Sequence, residues 1–415
     1  MKNVSEKRQT MILPMVGIWV IALALFYGMC AIEPALSASP KLFSFGDWLA
    51  RSQDGILYKV FWMIGDWTDC QGFRSLPGGA ALVISGLVVH FIIKSGCKAK
   101  MYPMAAPLEV MPQIVLTGFL GVGLGVILFG DGLATAWLPT FLPCCTIPAA
   151  LVLTYGTHWT VWVTGGVLGC LIQYPLAVLA NTLAGMLGLP PLCTFTILAV
   201  GFGGIVMTEI YRLLPWCRKG VLHPEARVFK PLESANPPAP EATIGWYIRR
   251  CLTDFTDLLF FGNEWVSICY IGGLTLSWAL NPAHIVYGVP KLYPAMLCGM
   301  LIGTSLAVFI WYPKYKELGT YNTFCVNEVM AIVPLFFGLA GETATYNPLF
   351  LILMAVISAI FCPPFCAWLS GQLSKLTFKR YEAACAGVIA AAPTLGINII
   401  IITLLFKALL AVGLF

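Results

Sequence analysis

The chain has 415 residues, of which 59% are hydrophobic and 10% charged, with a mean hydropathy of +0.84 and a formal net charge of +5. An ordinary soluble chain carries about 25% charged residues, so a water-solvated globule is excluded, and the apolar residues run in stretches of roughly 20, the length that crosses a hydrocarbon core about 30 Å thick. The 15 cysteines, many inside apolar stretches (Cys144, Cys145, Cys170, Cys298, Cys362, Cys366), lack structural-zinc spacing and read as small buried hydrophobes, and the positive charge is a matter of topology rather than of nucleic-acid binding.

Taken from the N-terminus, eleven membrane spans are predicted, at 11–31, 78–95, 110–130, 133–155, 159–187, 191–213, 263–281, 293–312, 319–340, 347–372 and 383–412. The first follows Lys2, Lys7 and Arg8 and has no small-residue cleavage site before Glu33 and Pro34, so it reads as an uncleaved, peripheral helix. Residues 32–77 mix Asp47, Asp54, Asp66 and Asp69 with Trp48, Tyr58, Phe61, Trp62 and Trp67, the pattern of amphipathic structure at the outer interface. The stretch 214–262, with its Pro237-Pro238-Ala239-Pro240 run, reads as a polar cytoplasmic linker.

Alternating these spans from a cytoplasmic N-terminus puts most of the 24 Lys and Arg residues inside. The inside set includes Lys94, Lys98 and Lys100, the seven from Arg212 to Arg250, Lys314, Lys316, Lys375, Lys379 and Arg380. That bias is the positive-inside rule; it predicts a multi-pass protein of the inner (plasma) membrane and requires 133–155 to cross.

The linker separates two halves, 78–213 and 263–415, that match weakly at an offset of about 182 to 192 residues. Ser85-Gly86-Leu87 falls opposite Gly272-Gly273-Leu274, and Phe119-Leu120-Gly121 opposite Leu301-Ile302-Gly303. Leu133-Ala134-Thr135 falls opposite Leu318-Gly319-Thr320, Tyr174-Pro175 opposite Pro363-Pro364, and Cys193, Gly204 and Ile205 opposite Cys385, Gly396 and Ile397. Five crossings in each half make the repeat an inverted one, which suits alternating access. The layout resembles the five-plus-five secondary transporters, such as bile-acid symporters and sodium/proton antiporters, and more faintly two-repeat bacterial membrane proteins of uncharacterised function. The former resemblance implies a discontinuous fourth helix in each repeat, at the binding site.

Broken helices offer unpaired backbone groups to a solute or an ion. The third crossings carry Pro139, Pro143 and Pro148 in the first half and Thr320 to Glu328 in the second; the fourth carry Gln173-Tyr174-Pro175 and Cys362-Pro363-Pro364. Polar residues in or beside them, Thr140, Thr146, Gln173, Asn181, Asn322, Thr323, Asn327 and Gln372, with Asn398 of the last span, are the candidate substrate-binding residues. Glu328 is the candidate coupling residue, because an ionised carboxylate inside an apolar crossing costs several kcal/mol unless it is neutral, paired or ion-bound. It reads as the one convincing buried carboxylate, with no Arg or Lys buried beside it, while Glu264, Glu209 and Asp131 read as interfacial anchors.

No G-x-x-x-x-G-K-[ST], H-E-x-x-H or G-x-S-x-G motif is present, so no ATPase, zinc protease or serine hydrolase of familiar type is expected, and neither catalytic nor metal-ligating residues nor a cofactor are assigned. The expectation is an all-α polytopic protein, not an enzyme, that moves a small polar or weakly charged organic solute coupled to H+ or Na+. An ion channel and a membrane-embedded enzyme acting on a lipid-like substrate are the alternatives. Its partners would be that solute, the ion and the bilayer, with no nucleic acid, and a homodimer is left open.

Overall fold

A computed structural model describes residues 2–52, 54–95, 110–129, 146–217, 243–377 and 383–415. The described residues are helical with no strand among them, and the protein is an all-α, multi-pass membrane protein. Its longer helices are α1 (Lys2–Ser37), α2 (Phe45–Arg51), α3 (Ile56–Asp66), α4 (Leu76–Lys94), α5 (Met111–Phe129) and α6 (Ile147–Tyr155). They continue with α7 (Trp159–Leu187), α8 (Pro191–Leu213), α9 (Ile244–Asp257), α10 (Glu264–Leu280) and α11 (Leu292–Leu318). The last three are α12 (Phe324–Leu339), α13 (Pro348–Thr377) and α14 (Ala383–Ala411).

Eight of these are long and apolar enough to cross a membrane, namely α1, α4, α5, α7, α8, α11, α13 and α14. Two other predicted spans, 263–281 and 319–340, form shorter helices. Helices α10 and α12 have 17 and 16 residues, which reach about 25 Å at 1.5 Å per residue. Of 133–155 only α6 and the residue before it lie in the described part.

The discontinuity expected in the fourth crossings is absent. Helix α13 runs unbroken through Pro363 and Pro364. A proline at 363 cannot donate to the carbonyl of residue 359, and Trp311 of α11 supplies the missing donor, its Nε1 lying 2.8 Å from Ala359 O. Helix α7 also continues, by widening to a π turn at Gly169–Gln173 just ahead of Pro175. A second π turn, Thr196–Phe202, lies in α8.

The packing partnerships recur in the two halves. In the first, α5 and α6 pack on α7 and α7 on α8; in the second, α11 and α12 pack on α13 and α13 on α14. Across the halves α4 pairs with α10 and α8 with α14, while α1 lies outside both, against α11.

Two segments differ from their sequence reading. Within residues 45–75, Trp48, Trp62, Trp67, Asp66 and Asp69 are buried, because α2 and α3 tuck their aromatic faces under the loop that follows α10, while Asp47, Asp54, Ile56 and Leu57 stay exposed. The second part of the supposed linker is helix α9, with Trp246, Tyr247, Arg250, Asp254 and Asp257 buried, packed against α10 and α11. The fold pairs Asp66 and Asp69 with Arg74, and Asp254 with Arg250, internally instead of leaving them to water.

Candidate functional site

The centre of the molecule is formed by two turns, 66–75 between α3 and α4 and 254–263 between α9 and α10. Each begins with the same four-residue pattern, Asp66-Trp67-Thr68-Asp69 and Asp254-Phe255-Thr256-Asp257. Every position of the first answers to the one 188 residues on, and the backbone repeats with it. The N–H of Gly72 donates to Asp69 O at 2.9 Å and that of Phe260 to Asp257 O at 3.1 Å; Phe73 donates to Thr68 O at 3.2 Å and Phe261 to Thr256 O at 3.1 Å. The threonine hydroxyl accepts from the residue that caps the next helix, Ser75 N to Thr68 Oγ1 at 2.8 Å and Asn263 N to Thr256 Oγ1 at 3.3 Å. Both turns place left-handed residues at matching positions, Gly72 and Phe260 (φ 74° and 66°) and Arg74 and Gly262 (φ 43° and 44°). Each therefore holds one non-glycine residue in a conformation that costs of order 1–3 kcal/mol and clusters at functional sites.

The charges differ in origin but not in kind. In the first turn the buried Arg74 bridges Asp66 and Asp69, with Nη2 2.8 Å from Asp69 Oδ2, and its guanidinium lies over the Trp62 ring at 4.2 Å. Tyr287 donates to Asp69 Oδ1 at 2.5 Å. In the second turn the guanidinium comes from Arg250, at the position equivalent to Trp62, and pairs with Asp254. Thr323 donates to Asp254 Oδ2 at 2.7 Å, and Tyr315 joins Thr323 and Arg250.

Gln71 ties the turns together. Its Nε2 donates to Phe255 O at 3.0 Å and to Glu328 Oε1 at 2.6 Å, while its Oε1 accepts from Tyr270 at 2.9 Å. Helix α12 thus meets the second turn at Thr323 and the first at Glu328.

The sequence-selected residues divide among these features. Thr323, Asn327 and Glu328 are fully buried and come together at the start of α12, with Asn322 half-buried beside them. Asn327 Nδ2 donates to Thr304 Oγ1 at 3.0 Å. Thr146 and Gln173 form a second pair, the hydroxyl donating to Gln173 Oε1 at 2.9 Å next to the π turn of α7. Asn398 is buried against Cys362 O at 3.5 Å. Asn181 is half-buried on α7, Gln372 is exposed near the end of α13 where it accepts from Lys375, and Thr140 lies outside the described residues.

Glu328 is not the one buried carboxylate, and buried arginines are not missing. Glu33, Asp66, Asp69, Asp254, Asp257 and Glu264 are buried too, as are Arg74 and Arg250. Glu264, expected to anchor at an interface, is buried and paired with Arg249. The signal that finds the four aspartates of the turns is the repeat itself: carrying the offset match upstream of residue 78 aligns the two Asp-x-Thr-Asp patterns.

A cavity of about 260 Å³ opens beside the first turn. Asp69 and Tyr287 supply its polar side, and Leu192, Ile332, Leu335 and Leu339 its apolar walls. Comparison with protein-family models, with curated proteins and with solved structures finds no match for the chain.

Proposed function

We propose that the chain is a secondary active transporter of two inverted repeats, moving a small polar or weakly charged organic solute by alternating access, coupled to H+ or Na+. One observation carries the reading: two equivalent Asp-x-Thr-Asp turns, one from each half, meet in the protein interior with a surplus of carboxylates over guanidiniums. Burying such charges costs several kcal/mol each, so a fold that keeps them has them paired, neutral or ion-bound, and the two guanidiniums pair only part of the set. Their duplication in two halves is what an exchange between outward-open and inward-open forms uses. Glu328 is the coupling residue of this reading, since its carboxylate reports to both turns through Gln71. The cavity at Asp69 and Tyr287 is of a size for a small solute with one polar end. The chain would lie in the plasma membrane with its N-terminus in the cytoplasm.

The test is a thermal-shift screen of the purified protein in detergent against small metabolites, with and without sodium and at two pH values, repeated on Glu328→Gln. The expected result is a ligand whose stabilisation requires sodium or low pH and loses that requirement in the variant. A ligand that binds with unchanged affinity and ion dependence in Glu328→Gln would remove Glu328 from the coupling role. Uptake of that ligand into proteoliposomes, driven by the same ion, then decides between a transporter and a binding protein.

A further inference from the structure

The cavity beside the first turn is built by both halves. Asp69 and Gly72 come from the turn, Pro190 and Pro191 from the entry to α8, and Tyr287 and Leu339 from the second half. Its two polar side chains are already joined, Tyr287 donating to Asp69 Oδ1 at 2.5 Å. With the phenol proton committed there, and a carboxylate that only accepts, the pair offers a ligand acceptor oxygens. Pro190 and Pro191 have no N–H, and the N–H of Gly72 is bonded to Asp69 O at 2.9 Å.

Charge narrows the ligand further. Asp66 and Asp69 share the guanidinium of Arg74, so this triad is net negative, and Asp69 is its member on the cavity. An alcohol or amide can use the acceptors but leaves that charge uncompensated, whereas an ammonium group serves both. A bare metal ion needs oxygens on most sides, and here the remaining walls are apolar and include the rings of Phe45 and Phe336, which suit an organic cation. The loop that brings the phenol is fixed against the first turn. Val286 N donates to Phe73 O at 2.8 Å, and Tyr287 packs edge-on to Phe45 at 5.1 Å. Val286 and Tyr287 are consecutive non-glycine residues at positive φ (48° and 58°), a backbone state that clusters at ligand clamps.

We propose that this cavity binds a primary amine as its ammonium cation, with the charged head on the Asp69 and Tyr287 oxygens and an apolar body between α8 and α12. The inference rests on the transport reading above and names the class of solute taken at this site.

The experiment is isothermal titration of the purified full chain in detergent with butylamine, benzylamine and phenethylamine, each beside the alcohol of the same carbon skeleton, and with benzoate. At least one amine is expected to bind saturably and about tenfold more tightly than its alcohol, and benzoate is expected not to bind. Asp69→Asn should bring that amine and its alcohol to equal affinity. Tyr287→Phe keeps the ring, removes one acceptor and should weaken amine binding about five- to tenfold. Leu339→Trp, at a half-exposed position of the wall, should block the cavity and abolish binding. These last two variants carry the test if Asp69→Asn does not fold. The proposal is overturned if no amine binds saturably, if the alcohols or benzoate bind as tightly as the amines, or if amine binding is unchanged in both Tyr287→Phe and Leu339→Trp. Uptake into proteoliposomes separates this from the transport reading: amine binding without uptake of any solute sinks that reading and leaves the site standing, whereas uptake of a solute with which no amine competes keeps transport and removes the amine.

Discussion

Arg74 shows why single residues here are costly to change. Its guanidinium sits between two buried carboxylates and over an indole ring, so Arg74→Met strands two acids in a low-dielectric interior. A loss of about 3–5 kcal/mol is expected in chemical denaturation, with partial recovery when Asp69→Asn is added; a loss below about 1 kcal/mol would mean that water reaches the triad. His284 gives a pH signature. Burial pushes its imidazole down to about 4, against a 2.9 Å contact of Nδ1 with Phe43 O. The neutral ring uses both nitrogens, since Nε2 accepts from Leu76 N at 3.3 Å. Between pH 6.5 and 4 the unfolded chain therefore binds a proton that the folded one does not, and stability falls as pH is lowered through that window, by up to about 3 kcal/mol. Unfolding midpoints recorded from pH 7 to 4.5 should drop less steeply in His284→Gln. The sequence brought out Thr323, Asn327 and Glu328, because polar and acidic residues stand out in an apolar run, but not that Arg74, Arg250 and the aspartates of the two turns are buried. The two Asp-x-Thr-Asp patterns lie among aromatics and charges, a mixture shared by membrane interfaces and by buried ion-pair networks, and composition does not separate the two.

At the scale of elements, hydropathy located every long helix, since about 20 apolar residues in a row admit little else in a bilayer. It misjudged the prolines. Pro363 breaks nothing in α13 because the carbonyl it frees is taken by Trp311, a residue 48 positions earlier in a different helix. Trp311→Phe should cost about 1–2 kcal/mol by leaving that carbonyl without its donor. In Pro363→Ala, where the helix supplies its own N–H, the same change should cost much less, and a double-mutant cycle on thermal stability measures the difference. Equal costs in both backgrounds would assign the bond no role in carrying the proline. The crossing of α4 and α10 depends on small residues: a Cβ on Gly273 would lie 2.7 Å from Pro77 O and 3.1 Å from Gly78 Cα.

For the molecule as a whole, the repeated order of helix partners and the two turns with matching hydrogen bonds are one fact seen at two scales. The offset match in the sequence caught the helices but began at residue 78, one turn too late to include the site. Stretches of apolar sequence match one another by chance, whereas four residues carrying two acids rarely do, so the stronger signal lay in the segments set aside as peripheral.

The Gln71 amide has both of its N–H donors committed, one to Phe255 O and one to Glu328 Oε1, while Tyr270 holds its Oε1. A side chain whose two donors are both committed cannot follow one acceptor without releasing the other. Any rearrangement that parts the two turns has to unfasten this amide first, and a protonated Glu328, able to donate rather than only accept, loosens the same fastening from the other side. In the transport cycle proposed above, this side chain is a latch with two keys, and separation of the halves would follow an order of events: the carboxyl changes state, the amide lets go, and only then do the turns move apart.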